Sequence, residues 1–309
     1  MFVQVMALGM LVGMAQGDDP RNTTAYWSQE RIKSARPADL PPVPQGLSPS
    51  GVQRLASPAA MWGVPRRRVL TPGGDSLGYA PVPRPYTGAR RLTGVLLSHD
   101  PVARRDIVCA AAVLASRSRS LVLTSAHCLS AGGRMMRHVA FLPAYNSRGA
   151  GEPSLGVWPA VRVWVPKQWK RRPYSASLLP YDVGLAGVVQ GGRRLEGVTG
   201  RGLRPEPAGP GVKGLNLLGY PMGGRYPGTD MHHCVGDAAE VGGVLVTRNC
   251  HSPDGGSGGP AVRGRTVYGV VSSSSPLRDP AGFTVLTRLE PVLFGRLLTG
   301  ADRYMRRRS

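Results

Sequence analysis

The sequence predicts an all-β protein that contains two antiparallel β-barrels. Short apolar runs with turn signals between them recur from residue 93 onward. The chain has 42 glycines and 29 prolines among 309 residues, a composition typical of a turn-rich β fold. Roughly 200 residues are enough for one double barrel with a buried core, so we expect one such unit with extensions.

The apolar runs divide into two sets. The first set is 93–98, 107–115, 120–124, 139–142, 161–165 and 183–188. The second set is 215–219, 243–248, 261–262, 266–272 and 283–287. We expect the barrels to occupy 92–300 and to end with a short C-terminal helix at 291–298, PVLFGRLL, while 301–309 is expected to form a solvated basic tail.

The chain ahead of the barrels has two parts. Residues 1–17 are predicted to be a signal peptide, because 2–15 are apolar and small residues follow, although no Lys or Arg precedes the apolar run. Residues 18–91 are rich in Pro, Ser, Gly and Arg with little periodicity, which predicts a mostly unfolded propeptide or linker. A segment that covers a cleft or aids folding and an inert spacer both fit it. No run is long enough to span a bilayer, so we expect secretion without a stable membrane anchor.

Three short motifs carry candidate chemistry in the order His, Asp, Ser. LTSAHC places His127 after a β-rich run, YDVGLA places Asp182 before an apolar strand, and GGSGGP places Ser257 in a glycine-rich loop. In a hydrolytic triad, Ser attacks a carbonyl, His takes and returns the proton, and Asp orients the imidazole. The glycines allow the amides of Gly255 and Ser257 to converge as an oxyanion hole.

Plainer interpretations exist for each motif. A glycine-rich run is also typical of a flexible linker, but GGSGGP precedes the hairpin-like stretch AVRGRTVYGVV. A histidine at a strand end is often structural, yet His127 lies beside a cysteine and ahead of the serine motif. Asp182 is favoured as the acid because none of its rivals directly precedes an apolar strand; these rivals are Asp230, Asp237 and Asp254.

Together these motifs resemble the trypsin/chymotrypsin-like serine peptidases, and more narrowly the secreted bacterial branch that includes the glutamyl endopeptidases. The resemblance covers roughly 93–298 and extends to VPKQW at 165–169, LLGYP at 217–221 and GVVS at 269–272. The order His, Asp, Ser is that of chymotrypsin, whereas subtilisins and α/β-hydrolases use other orders. The resemblance implies two antiparallel barrels of chymotrypsin type with the triad at their junction.

The resemblance also implies roles for single residues. His127 would be the general base, Asp182 its orienting partner and Ser257 the nucleophile, with Gly255 and Ser257 as the amide donors. The strand after the nucleophile lines the substrate cleft in this family, which implies that Ser272, Ser273 and Ser274 pair with the backbone of a bound peptide.

The chain departs from the family at three places. Gly256 replaces the Asp that pairs with a new N-terminus in trypsin-type members, so activation by that ion pair is not expected. Val271 stands where glutamyl-specific members carry a His. His251 stands six residues before Ser257, where trypsin-like recognition needs an acid. His251 is therefore either a substrate-binding residue or a surface-loop histidine, and the sequence predicts no cleavage specificity.

Four cysteines allow three pairings. The resemblance implies a Cys109–Cys128 bridge, which leaves Cys234 with Cys250, and even cysteines in a hydrolase indicate an oxidising compartment. A rival interpretation is a metal site made by His232, His233, Cys234, Cys250 and His251. The adjacent histidines lack a familiar zinc spacing, and we expect neither a metal nor a cofactor.

The chain carries a strong positive charge, but the positions of its charged residues indicate no specific ligand. The formal net charge is +21, carried by 35 Arg and only 4 Lys, a skew that fits G+C-rich coding as well as selection for a ligand. The arginines are scattered, with short clusters at 66–68, 171–172 and 306–308. We expect loose attraction to anionic cell-wall polymers or acidic proteins, whereas an aromatic content of 6% gives no sign of a stacking platform for nucleic acid.

The sequence thus predicts a secreted serine endopeptidase that acts on peptide or protein substrates through an acyl-enzyme intermediate. Two alternatives stay open. One is a non-proteolytic esterase that uses the same site. The other is a catalytically silent binding protein with a protease fold.

Overall fold

The computed structural model describes residues 12–16, 18–38, 40, 68–146, 155–170, 174–278 and 282–308. In chain order the helices are α1 Pro20–Tyr26, α2 Gln29–Ser34, α3 Ala89–Leu92, α4 Lys167–Lys170, α5 Leu195–Thr199 and α6 Pro291–Arg307, and 3-10 helices span Ala126–Cys128 and Ala176–Tyr181. The strands are β1 Val12–Gln16, β2 Arg36–Pro37, β3 Ala80–Pro81, β4 Thr93–Asp100, β5 Arg105–Leu114, β6 Leu121–Thr124, β7 Ser130–Ala131, β8 Arg134–Met135, β9 Arg137–Pro143, β10 Trp158–Pro166, β11 Gly184–Val188, β12 Arg204–Pro205, β13 Gly211–Gly219, β14 Met222–Gly223, β15 Tyr226–Pro227, β16 His232–Val241, β17 Val244–Thr247, β18 Pro260–Arg263, β19 Thr266–Ser274 and β20 Thr284–Arg288.

The first six-stranded barrel runs β10-β11-β6-β5-β4-β9 and closes where β9 pairs back to β10. Its strands are mostly inaccessible to solvent: every residue of β6 and all but the first two of β5 are buried. Phe141, Trp158 and Trp164 are its largest fully buried side chains. Every strand that the sequence predicts for this barrel is present, with bounds shifted by a few residues.

The second six-stranded barrel runs β19-β18-β13-β16-β17-β20 and closes where β20 pairs back to β19. Strand β16, HHCVGDAAEV, was not predicted from the sequence, because polar residues interrupt its apolar positions. Buried and partly exposed positions alternate along most of it, the pattern of a strand with one face toward the core. The two antiparallel barrels confirm the predicted fold class.

The C-terminal helix α6 packs on the first barrel and is longer than predicted. It continues to Arg307, and Ala301 and Met305 on its inner face are buried. A side chain at Gly187 of β11 would collide with the Met305 sulfur, since a Cβ there would lie 2.4 Å from it. The prediction of a solvated tail at 301–309 is therefore wrong for residues 301–307, and residue 309 lies outside the described residues.

The prediction of a mostly unfolded segment at 18–91 is wrong for its two ends. Helices α1 and α2 lie on the first barrel with Trp27 and Ile32 buried, and β2 pairs with β5 in parallel. In the segment 68–91, β3 pairs with β16 of the second barrel and Tyr79 is buried there, whereas Val82 and Tyr86 pack with the core of the first barrel. Residues 39 and 41–67 lie outside the described residues.

The predicted signal peptide is described only in part. Residues 12–16 form β1, which pairs antiparallel with β10 from Arg162 to Pro166, while 1–11 and 17 lie outside the described residues. Within the described ranges, no helix combines the length and apolar character required to cross a bilayer.

Candidate active site

His127 lies just beyond the end of strand β6, in a segment that is bonded to both barrels. Strand β6 ends at Thr124, and the 3-10 helix Ala126–Cys128 carries His127 just beyond it. A Cys109–Cys128 disulfide ties this helix to β5. The Ser125 hydroxyl donates to the carbonyl of Val271 in the second barrel at 2.7 Å. The histidine is therefore held at the barrel junction, where its side chain is 4% exposed.

Asp182 binds His127 through both carboxylate oxygens. It ends the 3-10 helix Ala176–Tyr181 and is completely buried. Oδ1 accepts the backbone amide of His127 at 2.9 Å, and Oδ2 lies 2.7 Å from its Nδ1. Because the carboxylate accepts, Nδ1 carries the proton and a neutral ring presents its lone pair at Nε2. This is the tautomer that a general base requires.

Ser272 supports the same carboxylate from the second barrel. Its hydroxyl donates to Asp182 Oδ2 at 2.5 Å, and its side chain is fully buried. The β19–β20 register shifts between Val271 and Ser273, which leaves Ser272 as the extra residue of a β-bulge. Bulges redirect a side chain in this way, so Ser272 orients Asp182 through its hydroxyl, a contact that the sequence did not indicate.

Ser257 lies in a loop that both barrels hold. The Ser257 carbonyl accepts the Ala110 amide of β5 at 2.8 Å, and the Gly258 amide donates to Val271 at 2.8 Å. Gly258 has φ +80°, and a Cβ there would lie 2.2 Å from the Thr124 hydroxyl. The absence of a side chain thus lets the serine loop contact the end of the strand that carries His127. Ser257 itself is 3% exposed.

The peptide between Asp254 and Gly255 is fixed in orientation. The Asp254 carbonyl accepts the Met222 amide at 2.7 Å, and the N–H of a trans peptide points opposite to its carbonyl. The Gly255 N–H therefore points away from Met222. Gly255 has φ +82°, and a Cβ there would lie 2.6 Å from the Tyr220 carbonyl oxygen. Only glycine fits this position without strain.

The other residues predicted to bind substrate are Ser273 and Ser274 on β19 and the buried His251. Ser273 is buried, and its hydroxyl makes no hydrogen bond within the described part of the chain, whereas Ser274 is half-buried. His251 is fully buried and its Nε2 donates to the Ser275 carbonyl at 2.9 Å. A Cβ at Gly282 would lie 2.1 Å from its Nδ1. The surface-loop interpretation of His251 is therefore wrong.

The cysteines are paired as the resemblance implies. Besides Cys109–Cys128, a Cys234–Cys250 disulfide joins β16 to the segment that leads to the serine loop. The rival metal set therefore has no thiolate to offer. Its histidines are engaged as well: His232 and His233 contact the Asp230 carbonyl and the Asn216 side chain. Among the described residues, the one group with metal-ligand spacing is Cys109, His127 and Cys128, and its sulfurs form the first disulfide.

A cavity of about 160 Å³ opens beside His127. Its walls combine barrel and loop residues, including Met136, Trp169 and Leu178, with Ala38 and Leu40 of the N-terminal segment. The Trp169 ring lies 6.3 Å from the His127 ring, and its indole N–H donates to the Ser130 carbonyl. The cavity beside His127 is therefore lined by both polar and apolar residues, and the N-terminal segment contributes to it.

Comparison with known proteins supports the fold. No protein-family model and no curated protein sequence matches the chain. Among solved structures, it is similar to the protease Anisep from Arthrobacter nicotinovorans, with 21% identity, a TM-score of 0.60, and coverage of 70% of this chain and 97% of that one. It is similar to the thermostable serine protease AL20 from an extremophilic microorganism, with 21% identity, a TM-score of 0.58, and coverage of 70% and 98%. A Glu endopeptidase in complex with MPD matches with 12% identity, a TM-score of 0.55, and coverage of 73% and 96%. The protein therefore has the chymotrypsin-like serine protease fold.

Proposed function

We propose that this protein is a secreted serine endopeptidase that hydrolyses peptide bonds with Ser257, His127 and Asp182. The observation that carries the proposal is the 2.7 Å contact between His127 Nδ1 and Asp182 at the barrel junction. A completely buried carboxylate with Ser272 as a second donor orients the imidazole, and the glycine-rich loop holds Ser257 nearby. This combination supplies a base, its orienting acid and a nucleophile.

The reaction proceeds in two balanced halves. Ser257 Oγ attacks the peptide carbonyl carbon while His127 Nε2 takes its proton, and the amides of Gly255 and Ser257 bind the oxyanion. The C–N bond then breaks as His127 gives that proton to the leaving amine. Water, deprotonated by His127, attacks the acyl-enzyme ester, and Ser257 recovers the proton. The β19 strand at Ser272, Ser273 and Ser274 pairs with the peptide backbone, and the buried His251 supports the end of this strand through the Ser275 carbonyl.

The N-terminal segment acts as a propeptide in this proposal. The Ala38 amide donates to the Val108 carbonyl at 3.3 Å, one residue before Cys109 and its disulfide to the His127 helix. Leu40 packs against the first-barrel core and also against the cluster around Leu179. Ala38 and Leu40 therefore lie at the cavity beside His127, where they restrict the cleft until the segment is released.

A polar network supports this docked position. The Tyr26 hydroxyl donates to Asp106 at 2.6 Å, and Arg31 binds the other oxygen of the same carboxylate at 2.7 Å. Asp18 binds Arg137 and the His138 amide, and the Tyr26 ring stacks on the His138 ring at 4.0 Å. These contacts anchor α1 and α2 to the first barrel, as a cleft-covering segment requires.

Secretion is supported by the two disulfides, because such bonds persist in oxidising compartments. Closing loops of this size contributes about 3 kcal/mol each in the chain-entropy model. The same bridges would also protect a peptidase outside the cell from losing its junction geometry.

Labelling with a fluorophosphonate probe tests the serine chemistry. The full chain should acquire the probe on Ser257, with Ser257→Ala as the control, and intact mass spectrometry should show one adduct. A peptide-library digest then separates an endopeptidase from an esterase that hydrolyses only activated esters. Absence of labelling in folded protein, with the N-terminal segment removed, would overturn the proposal.

The propeptide role has a separate test. Leu40→Ser removes the apolar side chain beside His127 and should raise the labelling rate of the full chain several-fold, since the segment then covers the cleft less tightly. Val69→Ser changes a 47% exposed apolar side chain elsewhere and should leave the rate unchanged. Equal rates for all three proteins would refute a blocking role for the segment while leaving the labelling result intact.

A further inference from the structure

Arginines that are distant in sequence meet on one face of the molecule. The face is built where the end of α6 packs beside the loop between β5 and β6. Asp302 on α6 accepts the Ser118 amide of that loop at 2.7 Å. Arg194, just ahead of α5, donates to the Ser118 carbonyl at 2.8 Å, and the Glu196 amide donates to the Arg119 carbonyl at 2.9 Å. Three segments are thereby joined around Ser118.

We call this surface the arginine face. Its members are exposed arginines from the loop 115–119, the turn 193–194 and the last turns of α6. They are Arg117, Arg119, Arg193, Arg194, Arg303, Arg306, Arg307 and Arg308. Of the three short arginine clusters in the sequence, the last contributes to this face; residues 66–67 and 171–172 lie outside the described residues. The other arginines of the face are separated in the sequence and come together only in the folded chain.

The acidic residues of these segments bind backbone amides, and they offset only part of the positive charge. Asp302 holds the Ser118 amide and pairs with Arg306 at 3.3 Å. Glu196 is buried and accepts the backbone amides of Ser116 and Gly202. The exposed guanidinium groups consequently outnumber the carboxylates on this face, and like charges that repel one another in the free protein favour a bound polyanion.

Two arginines contact Tyr304 on the side of α6 next to this face. Arg162 lies 4.5 Å above the Tyr304 ring, and Arg308 donates to its hydroxyl at 3.4 Å. Burial opposes the change, but the hydrogen bonds and charges of Arg162 and Arg308 lower the pKa of Tyr304. Tyr304 is thus an internal reporter of the field around the helix end.

The chemistry of the face selects among polyanions. Arginine guanidinium groups bind phosphate oxygens through paired N–H donors, and they are less strongly hydrated than ammonium groups. Proteins that bind single-stranded nucleic acid add aromatic side chains on which the bases stack. The large apolar side chains that are exposed in the described part of the chain are Val69, Val102, Tyr174, Leu277 and Val292, and none lies in the three segments. We propose that the arginine face binds a linear, base-free phosphate polymer, which would hold the protein on a phosphate-rich surface.

Two charge-matched triple variants test the proposal. Arg117→Gln, Arg303→Gln and Arg307→Gln remove three charges from the face, and their side chains make no hydrogen bond or ion pair in the described ranges. Arg21→Gln, Arg104→Gln and Lys213→Gln remove three exposed charges elsewhere. Both are made in the full chain with Ser257→Ala, so the result does not depend on peptidase activity. The probe is fluorescent inorganic polyphosphate, read by anisotropy across a salt series.

The face triple should weaken binding by about tenfold or more at moderate salt and reduce the log–log salt slope by about 2 to 3, since each phosphate contact contributes about 0.9. The control triple should change affinity by less than about twofold. Equal losses in both triples would overturn the site, because they would show a diffuse effect of net charge. Single-stranded DNA that binds more tightly per charge than polyphosphate would overturn the choice of a base-free polymer. Unchanged melting temperatures verify that the variants are folded.

Discussion

The barrel junction and the arginine face use charge in opposite ways. At the junction, one fully buried carboxylate contacts His127 and Ser272 at fixed distances. On the arginine face, many exposed cations act together and no single contact fixes the geometry. A buried charge in a low-dielectric setting interacts strongly with few partners, whereas an exposed charge is screened by water and salt. We therefore expect large effects of single substitutions at the junction and small, additive ones on the face.

Asp182→Asn should give the largest loss among the tests of this contrast. An amide can present a donor where the carboxylate accepts, so the imidazole would lose its working tautomer, and kcat should fall about 10⁴-fold. The measurement is steady-state hydrolysis of a peptide substrate by protein without the N-terminal segment. On sequence alone, Asp237 is an alternative candidate for the triad acid. Asp237→Asn should alter kcat by less than twofold. Comparable losses in both variants would mean that Asp182 has no special role.

Ser272→Ala should have an intermediate effect. It removes a hydrogen bond to a charged group, worth about 1.5–3 kcal/mol, and kcat should fall about tenfold or more with little change in KM. Ser272→Thr keeps the hydroxyl and should recover most of the rate, which a purely structural loss would not permit. A change in KM alone for Ser272→Ala would contradict the assignment.

Acidification should loosen the N-terminal segment by a smaller amount. Burial and the charge of Arg137 lower the pKa of His138, against the opposing charge of Asp18, and the charges of His99 and Asp106 act on it as well. A group with a lowered pKa in the docked state binds fewer protons there, so its contribution is complete above its free pKa of about 6.5. That contribution is lost as the pH falls through the docked value.

Protonation of Asp18 and Asp106 should also weaken the docking of the N-terminal segment, but at lower pH than protonation of His138. Burial alone would raise the pKa of Asp18 and of Asp106, but their hydrogen bonds to Arg137 and to Tyr26, respectively, lower both values. Because both carboxyl pKa values lie below 3.8, Asp18 and Asp106 stay ionised at pH 5, and His138 is the group of the three that can gain a proton between pH 7.5 and pH 5. Its protonation should make hydrogen exchange of residues 20–34 several-fold less protected at pH 5 than at pH 7.5, after correction for intrinsic rates. Helix α6 provides the internal reference. Equal protection at both pH values would show that His138 does not contribute to docking.

A single change on the arginine face should give the smallest effect. Arg307→Gln should weaken polyphosphate binding by about two- to threefold and reduce the salt slope by about 0.9, the share of one phosphate contact. Arg21→Gln is the matched control, with no expected change in slope. A loss as large as that of the triple variant would show that the face depends on one fixed contact, as the junction does.

The sequence predicted much of the first barrel, because its strands are short apolar runs bounded by turns. It missed β16, since a strand with one polar face carries a weaker signal. It also misjudged the chain ends. In 18–38, buried Trp27 and Ile32 are single apolar residues in a polar segment, and in 301–307 only Ala301 and Met305 reach the core. Sparse anchors of this kind become evident only when the surface they contact is known.

The sequence by itself determined the residue types of the site, their order and the glycines of the serine loop, because nucleophile, base and acid must come from a small set of side chains. Tertiary structure alone decided which groups surround them. It brought Ser272 onto Asp182 through a bulge, buried His251 against Ser275 and placed Leu40 beside His127. It also gathered scattered arginines into one face. Such contacts join residues tens to hundreds of positions apart, and local sequence patterns contain no information about which distant segments will meet.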